Sequence, residues 1–276
     1  MALATRAAAA GVIAGVLAGR SLDALLAGAR ERVAERDRPL LAQLCYGTLR
    51  LAPRLQALAA GLLDRPLRRK DRDVHALLLL GLYQLGDTRI PDHAAVAETV
   101  AAAGDLGKPW ARGLLNAVLR RYQREGADLE AALPPAARAA HPDWLFDAMA
   151  AEWPGALDRI IAANNSQPPL TLRVNRQRLD RESALAALAA ACIEAAAGTL
   201  SEAALTLGRP RPVEELPGFA EGDLSGQDEA AQLAAPLLAP RDGERVLDAC
   251  AAPGGKACHL LELAPGCELT AVDVDE

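Results

Sequence analysis

The chain has 276 residues, of which 51% are hydrophobic and 24% charged. That is enough chain to bury sizeable cores in more than one domain, and it excludes a disordered polypeptide. A net charge of -6 and a pI near 5.4 exclude a polybasic coat for nucleic acid, so any RNA contact must rest on local basic patches.

Ala7 to Gly19 is uncharged and follows Arg6, but it is built of Ala and Gly with a single basic residue ahead of it. It is too short to span a bilayer, and an amphipathic pattern continues through Ser21 to Leu26, so the expectation is a first soluble helix rather than a secretory signal. Helical signals run on to about Gly126, with turns marked by Arg38-Pro39, Arg65-Pro66, Ile90-Pro91 and Lys108-Pro109. Val74 to Leu85 is apolar almost all round and predicts a central buried helix. Asp92 is read as the N-cap of the next helix, and Leu114, Leu115, Val118, Leu119 and Tyr122 as the core face of the last. On that last helix Arg112, Asn116, Arg120 and Arg124 recur every four residues, and Arg121 extends the stripe. The loop Arg65 to Arg72 adds Arg68, Arg69 and Lys70. These two patches read either as an RNA surface or as a solvated helix face with a charged loop.

Pro134-Pro135, His141-Pro142 and a helical Trp144 to Ala151 mark a connector, and the composition changes again at Gln167-Pro168-Pro169. Thr171 to Asn175 predicts a strand, Arg181 to Ile193 a helix and Ala203 to Leu207 a second strand, a small α+β unit whose only aromatic is Phe219.

The most telling letters are RVLDACAAPGGK, Arg245 to Lys256, followed by an apolar stretch and ELTAVDVDE. They predict a short buried strand ending at Asp248, a Pro-Gly-Gly turn, a helix over Ala257 to Leu263, and a second strand over Leu269 to Val272 with Asp273 at its carboxyl end. Gly254 and Gly255 would let backbone approach a ligand at a helix N-terminus. Asp273, nineteen positions after Gly254, lies near the offset at which an acid accepts hydrogen bonds from a ribose. A P-loop is excluded, because Cys250 and Ala257 stand where its first Gly and its Ser or Thr belong. A dinucleotide fingerprint is excluded by the missing third glycine. The five cysteines, Cys45, Cys192, Cys250, Cys258 and Cys267, lack CxxC spacing, and the four histidines lack an HExxH, which favours a reducing cytoplasm and argues against a metal site.

CAAPGGK followed by VDVDE resembles the S-adenosylmethionine loop of RNA 5-methylcytosine methyltransferases, and the chain as a whole resembles the RsmB (Sun/Fmu) family acting on 16S ribosomal RNA. The resemblance also takes in LCYGTLR (Leu44 to Arg50), LLLLGLYQLGDTRIPDHAAVAETV (Leu77 to Val100), GLLNAVLRRYQR (Gly113 to Arg124), PPLTLRVNR (Pro168 to Arg176) and GQDEAAQ (Gly226 to Gln232). It implies a multidomain architecture. Residues 1–126 would form an all-α, NusB-like RNA-binding domain and 127–166 a helical connector. Residues 167–226 would form an RRM-like α+β subdomain, and 227–276 the first βαβ of a Rossmann-like α/β methyltransferase core. It also implies that S-adenosylmethionine is held by Cys250, Ala251, Ala252, Pro253, Gly254, Gly255, Lys256 and Asp273. RNA contacts would come from Arg68, Arg69, Lys70, Arg112, Arg120, Arg121 and Arg124.

In that family a cysteine thiolate adds to C6 of cytosine so that C5 can take the methyl group, after which a base removes the C5 proton. The cysteines lie in motifs resembling TC and PC, and neither string occurs here. The expectation is therefore a monomeric, cytoplasmic protein, membrane-free and metal-free, whose 276 residues form the start of a 16S ribosomal RNA methyltransferase. No catalytic residue falls within them, the nucleophile being expected beyond Glu276, and the polypeptide should be inactive alone. Cys250 is expected to pack and to offer a backbone contact, and Cys258 and Cys267 to be inert. The alternative is a stand-alone NusB-like RNA-binding or antitermination protein, which leaves the CAAPGGK loop without a role. A nucleotide-dependent oxidoreductase is disfavoured by the missing glycine.

Overall fold

The Ala-rich stretch after Arg6 folds as α1 (Thr5–Val16), with Ala7 to Ala10, Val12 and Ile13 all buried. Its small side chains let it lie close against its neighbours. The computed structural model describes residues 4–274 and divides into two compact units, the first running to Ser166 and the second beginning at Gln167. After α1 the first unit continues with α2 (Leu22–Arg30), α3 (Arg38–Arg50), α4 (Ala52–Leu62), α5 (Arg72–Asp87), α6 (Asp92–Asp105) and α7 (Ala111–Ala131). It ends with α8 (Pro135–Arg138), α9 (Asp143–Glu152) and α10 (Leu157–Asn165). Pro39 and Pro53 occupy the first turns of α3 and α4, where a missing N–H removes no helical bond.

The apolar 74–85 segment is the axis of the bundle. α5 is packed by α1, α3, α4, α6 and α7, and Leu77 to Leu80 are at most 1% exposed. Each such leucine contributes roughly 1.5–3 kcal/mol through burial. The buried amide of Gln84 is satisfied within this core. Gln84 donates to Thr99 Oγ1 at 2.9 Å and to the Leu80 carbonyl at 3.3 Å, and accepts from Arg6 Nε at 2.8 Å, so α1, α5 and α6 are tied by one amide.

Two expectations about helix ends are corrected in this unit. Asp92 is the first helical residue of α6 and not its N-cap. Pro91 takes the cap position with φ −57° and ψ 135°, and the Asp92 carboxylate instead accepts from Gln123 Nε2 at 3.0 Å. The helix expected to end at about Gly126 runs to Ala131, and a Cβ at Gly126 would press within 3.0 Å of the Tyr122 ring. Gly126 is thus a packing residue, spanned by the Tyr122 hydroxyl donating to Glu130 Oε1 at 2.6 Å. No helix of the described residues is long and apolar enough to cross a membrane.

The second unit opens with β1 (Thr171–Val174), α11 (Arg181–Ala190), β2 (Ala195–Ala197), β3 (Ala204–Leu207) and β4 (Leu224–Gly226). These strands form an antiparallel sheet in the order β2-β3-β1-β4, with Leu172 opposite both Leu205 and Gly226. Leu172, Val174, Leu188, Leu205 and Leu224 form its core, against which Phe219 packs, so that ring helps close the core rather than offering a stacking platform. Asp180 caps α11 by accepting from the Ser183 N–H at 2.7 Å. The helix stops at Ala190 rather than Ile193, because Cys192 turns the chain at φ 58°.

Then follow α12 (Glu229–Gln232), α13 (Ala234–Leu238), β5 (Arg245–Asp248), α14 (Gly255–Leu263) and β6 (Glu268–Ala271). β5 and β6 pair in parallel, Asp248 opposite Ala271, with α14 as the crossover. β5 is not the buried strand expected. Leu247 is 65% exposed, because among the described residues β5 has only β6 beside it.

Candidate functional site

The glycine-rich turn lies between β5 and α14. Gly254 is the N-cap of α14 with φ 98°, a conformation that disfavours any side chain, and a Cβ there would meet nothing nearer than Cys258 Sγ at 3.8 Å. Gly254 brings no side chain to cap α14, so the first amides of that helix take no bond from their own cap residue. The turn is held from its own ends. The Ala251 N–H donates to the Val272 carbonyl at 3.0 Å, and the Val272 N–H to the Asp248 carbonyl at 2.8 Å. Asp273 Oδ2 accepts from the Ala252 N–H at 2.7 Å, and Asp248 Oδ1 from the Cys250 N–H at 3.3 Å. Loop and acid are therefore brought together, and Asp273 also has the structural task of fixing the turn. Ala251, Gly254 and Gly255 are half-buried, whereas Cys250, Ala252, Pro253 and Lys256 are exposed. Cys250 thus does not pack as expected. Of the other two cysteines of this region, Cys258 is exposed and Cys267 buried.

Beneath the turn lies a residue that the motifs do not reveal. Arg173, in the middle of β1, is 1% exposed. Its Nη2 and Nε donate to the two carboxylate oxygens of Glu262 on α14 at 2.7 and 3.1 Å, a bidentate pair. Its Nη1 donates to the Gly255 carbonyl at 2.7 Å and also to Gln227 Oε1. One guanidinium thus fixes the first peptide of α14, the body of that helix and the segment after β4. The GQDEAAQ motif completes the attachment. Gln232 donates to the Leu172 and Gln227 carbonyls at 3.2 and 3.0 Å, and Glu229 accepts from the Ser201 N–H at 3.0 Å. His259 is buried beside this pair. Burial, and then the positive charge of Arg173, push its pKa below the ordinary value, so the imidazole is neutral at neutral pH.

In the first unit, Arg112, Asn116, Arg120 and Arg124 are exposed along α7. Arg112 lies against Gly104 of α6, Arg120 donates to Gln123 Oε1 at 3.0 Å, and Arg124 donates to the Arg120 carbonyl at 3.0 Å. Arg121 does not extend this stripe. It is half-buried, paired with Glu125 at 2.8 Å, and directed to the Leu62 carbonyl at the end of α4, because one residue is a rotation of about 100° on a helix. Arg68, Arg69 and Lys70 are exposed on the loop between α4 and α5, with Arg68 and Lys70 beside a cavity that also exposes Trp110.

Three family descriptions match in order along the chain: NusB family over residues 3–124, Methyltr_RsmF/B-like ferredoxin-like domain over 141–214, and 16S rRNA methyltransferase RsmB/F over 235–276. The chain is 53% identical over 274 residues to ribosomal RNA small subunit methyltransferase B of Pseudomonas putida, covering 98% of this chain and 63% of that protein. It is 48% identical to the protein of the same name in Vibrio cholerae, covering 94% and 60%. The chain thus spans about three-fifths of the length of these relatives. The crystal structure of PH0851 shares its fold, with a TM-score of 0.73 at 17% identity over 100% of this chain and 65% of that one.

Proposed function

Because the chain belongs to the RsmB/RsmF family of 16S ribosomal RNA methyltransferases, we propose that it serves S-adenosylmethionine-dependent methylation of cytosine C5 in 16S ribosomal RNA, as a cytoplasmic monomer. The observation that carries this reading is the glycine turn at the head of α14, tied to Asp273 on one side and to Arg173 on the other. An antitermination protein using only the helical unit would leave that apparatus without a purpose.

The residues present fit the methyl donor. In this reading the backbone from Cys250 to Lys256 lines its methionine end, and the uncapped N-terminus of α14 favours a ligand carboxylate. Asp273 at the end of β6 receives the ribose hydroxyls. S-adenosylmethionine supplies an electrophilic methyl group when bound. Arg173 acts as a positioning residue, since fixing the Gly255 carbonyl fixes the plane of the peptide that follows the turn and opens α14.

Cytosine needs a thiolate at C6 before C5 can accept a methyl group, and the TC and PC strings that would carry it are absent from these 276 residues. The polypeptide by itself should incorporate no labelled methyl into protein-free 16S ribosomal RNA above a heat-killed control. Incorporation above that control, recovered as 5-methylcytidine, would place the thiol among the cysteines present and overturn the reading that none of them is the nucleophile.

RNA binding is assigned to the helical unit. Reversing Arg112, Arg120 and Arg124 together to Glu should leave the fold intact, because all three are exposed. It should weaken RNA binding and flatten the plot of log affinity against log salt by roughly 0.7 for each single-strand phosphate no longer neutralised. An unchanged slope, with the circular dichroism of the helices retained, would move the RNA surface off α7.

A further inference from the structure

The loop between α4 and α5 and the start of α7 enclose a cavity of about 580 Å³ in the first unit, a size within the range of small-molecule sites. The loop between α4 and α5 contributes Arg65, Leu67, Arg68 and Lys70 to its lining, and the start of α7 contributes Trp110 and Leu114. Trp110 is 55% exposed, which leaves a large apolar face in water that the bundle makes no use of.

The two sides are clasped together. Lys108, two residues before Trp110, donates from Nζ to the Lys70 carbonyl at 2.8 Å and is ion-paired with Asp71 at 3.0 Å and Asp73 at 2.5 Å. This clasp fixes the basic loop against the turn that bears the indole. It also turns Asp71, one of the two carboxylates lining the cavity, towards the Lys108 ammonium. The cavity lining thus carries three cations, Arg65, Arg68 and Lys70, against Asp64 and Asp71.

The geometry points to this cavity as the seat of one unpaired RNA nucleotide, its base stacked on the Trp110 indole and its flanking phosphates held by Arg65, Arg68 and Lys70. A π-face bordered by cations suits a base between phosphates, and a base paired within a duplex cannot enter it. The inference rests on the helical unit being the RNA-binding part, and it adds to the α7 stripe a site that selects single-stranded RNA.

The test is fluorescence anisotropy of the 276-residue chain with a labelled oligouridylate of about twelve nucleotides and with a duplex of equal length. Trp110→Ala should weaken oligouridylate binding by about 5- to 150-fold with an unchanged salt slope, while duplex binding stays as it was. Trp110→Phe should keep most of the affinity, since it keeps an aromatic face. Arg68→Glu with Lys70→Glu should weaken binding and flatten the salt slope. Oligouridylate affinity unchanged in Trp110→Ala would overturn the seat while leaving the RNA role of the unit intact. A wild-type chain that binds neither RNA at low salt would overturn that role, and the seat with it. Equal binding of polyglutamate with the same dependence on Trp110 would make this an acidic-peptide site and also overturn the inference.

Discussion

Replacing Arg173 by Met should destabilise the second unit by about 3–5 kcal/mol, the cost of removing one partner of a buried ion pair. Glu262 would be left 14% exposed without its cation, and the Gly255 carbonyl and Gln227 would lose their donor. Arg173→Lys should recover only part of the loss, because an ammonium cannot reproduce the fork that meets both Glu262 oxygens while reaching Gly255. Urea unfolding followed by hydrogen exchange at the amides of Gly255 to Leu263 would measure it. Exchange in α14 unchanged in Arg173→Met would mean that the guanidinium does not hold the turn.

The second large effect is expected at Asp273. Asp273→Ala removes the acceptor of the Ala252 N–H and, in the proposed reading, the acceptor of the ribose hydroxyls. S-adenosylmethionine affinity should fall by about 1.5–3 kcal/mol, typical for hydrogen bonds to a charged group. The two roles separate in a double-mutant cycle with the 2′-deoxy form of the ligand. If Asp273 holds the ribose, the losses from Asp273→Ala and from the missing hydroxyl should not add. Additive losses by calorimetry would confine Asp273 to holding the loop.

The parts of this fold that were legible in the sequence are those where one short segment carries its own signal. Val74 to Leu85 is apolar almost all round and became the buried axis. The Pro-Gly-Gly turn between two apolar runs became a strand-turn-helix with Gly254 at φ 98°. Arg173 was illegible for a physical reason. Strand alternation places Leu172 and Val174 on one face and Arg173 on the other, and nothing in TLRVN says that this second face is covered by Gln227 and α14. Alanine has a high helix propensity, yet Ala195 to Ala197 form β2, because pairing with Leu205 to Leu207 outweighs a weak local preference. Arg121 was assigned to the basic stripe from spacing alone, and its partners on α4 and α7 take it out of that face.

The central claim is methylation of cytosine C5 in 16S ribosomal RNA. It is tested most directly by bisulfite sequencing of that RNA from the source organism with and without the gene. The account predicts that one cytosine, protected as 5-methylcytosine in the parent, becomes fully convertible on deletion and is protected again when the gene is restored. A deletion strain that keeps every 5-methylcytosine of the parent would contradict it.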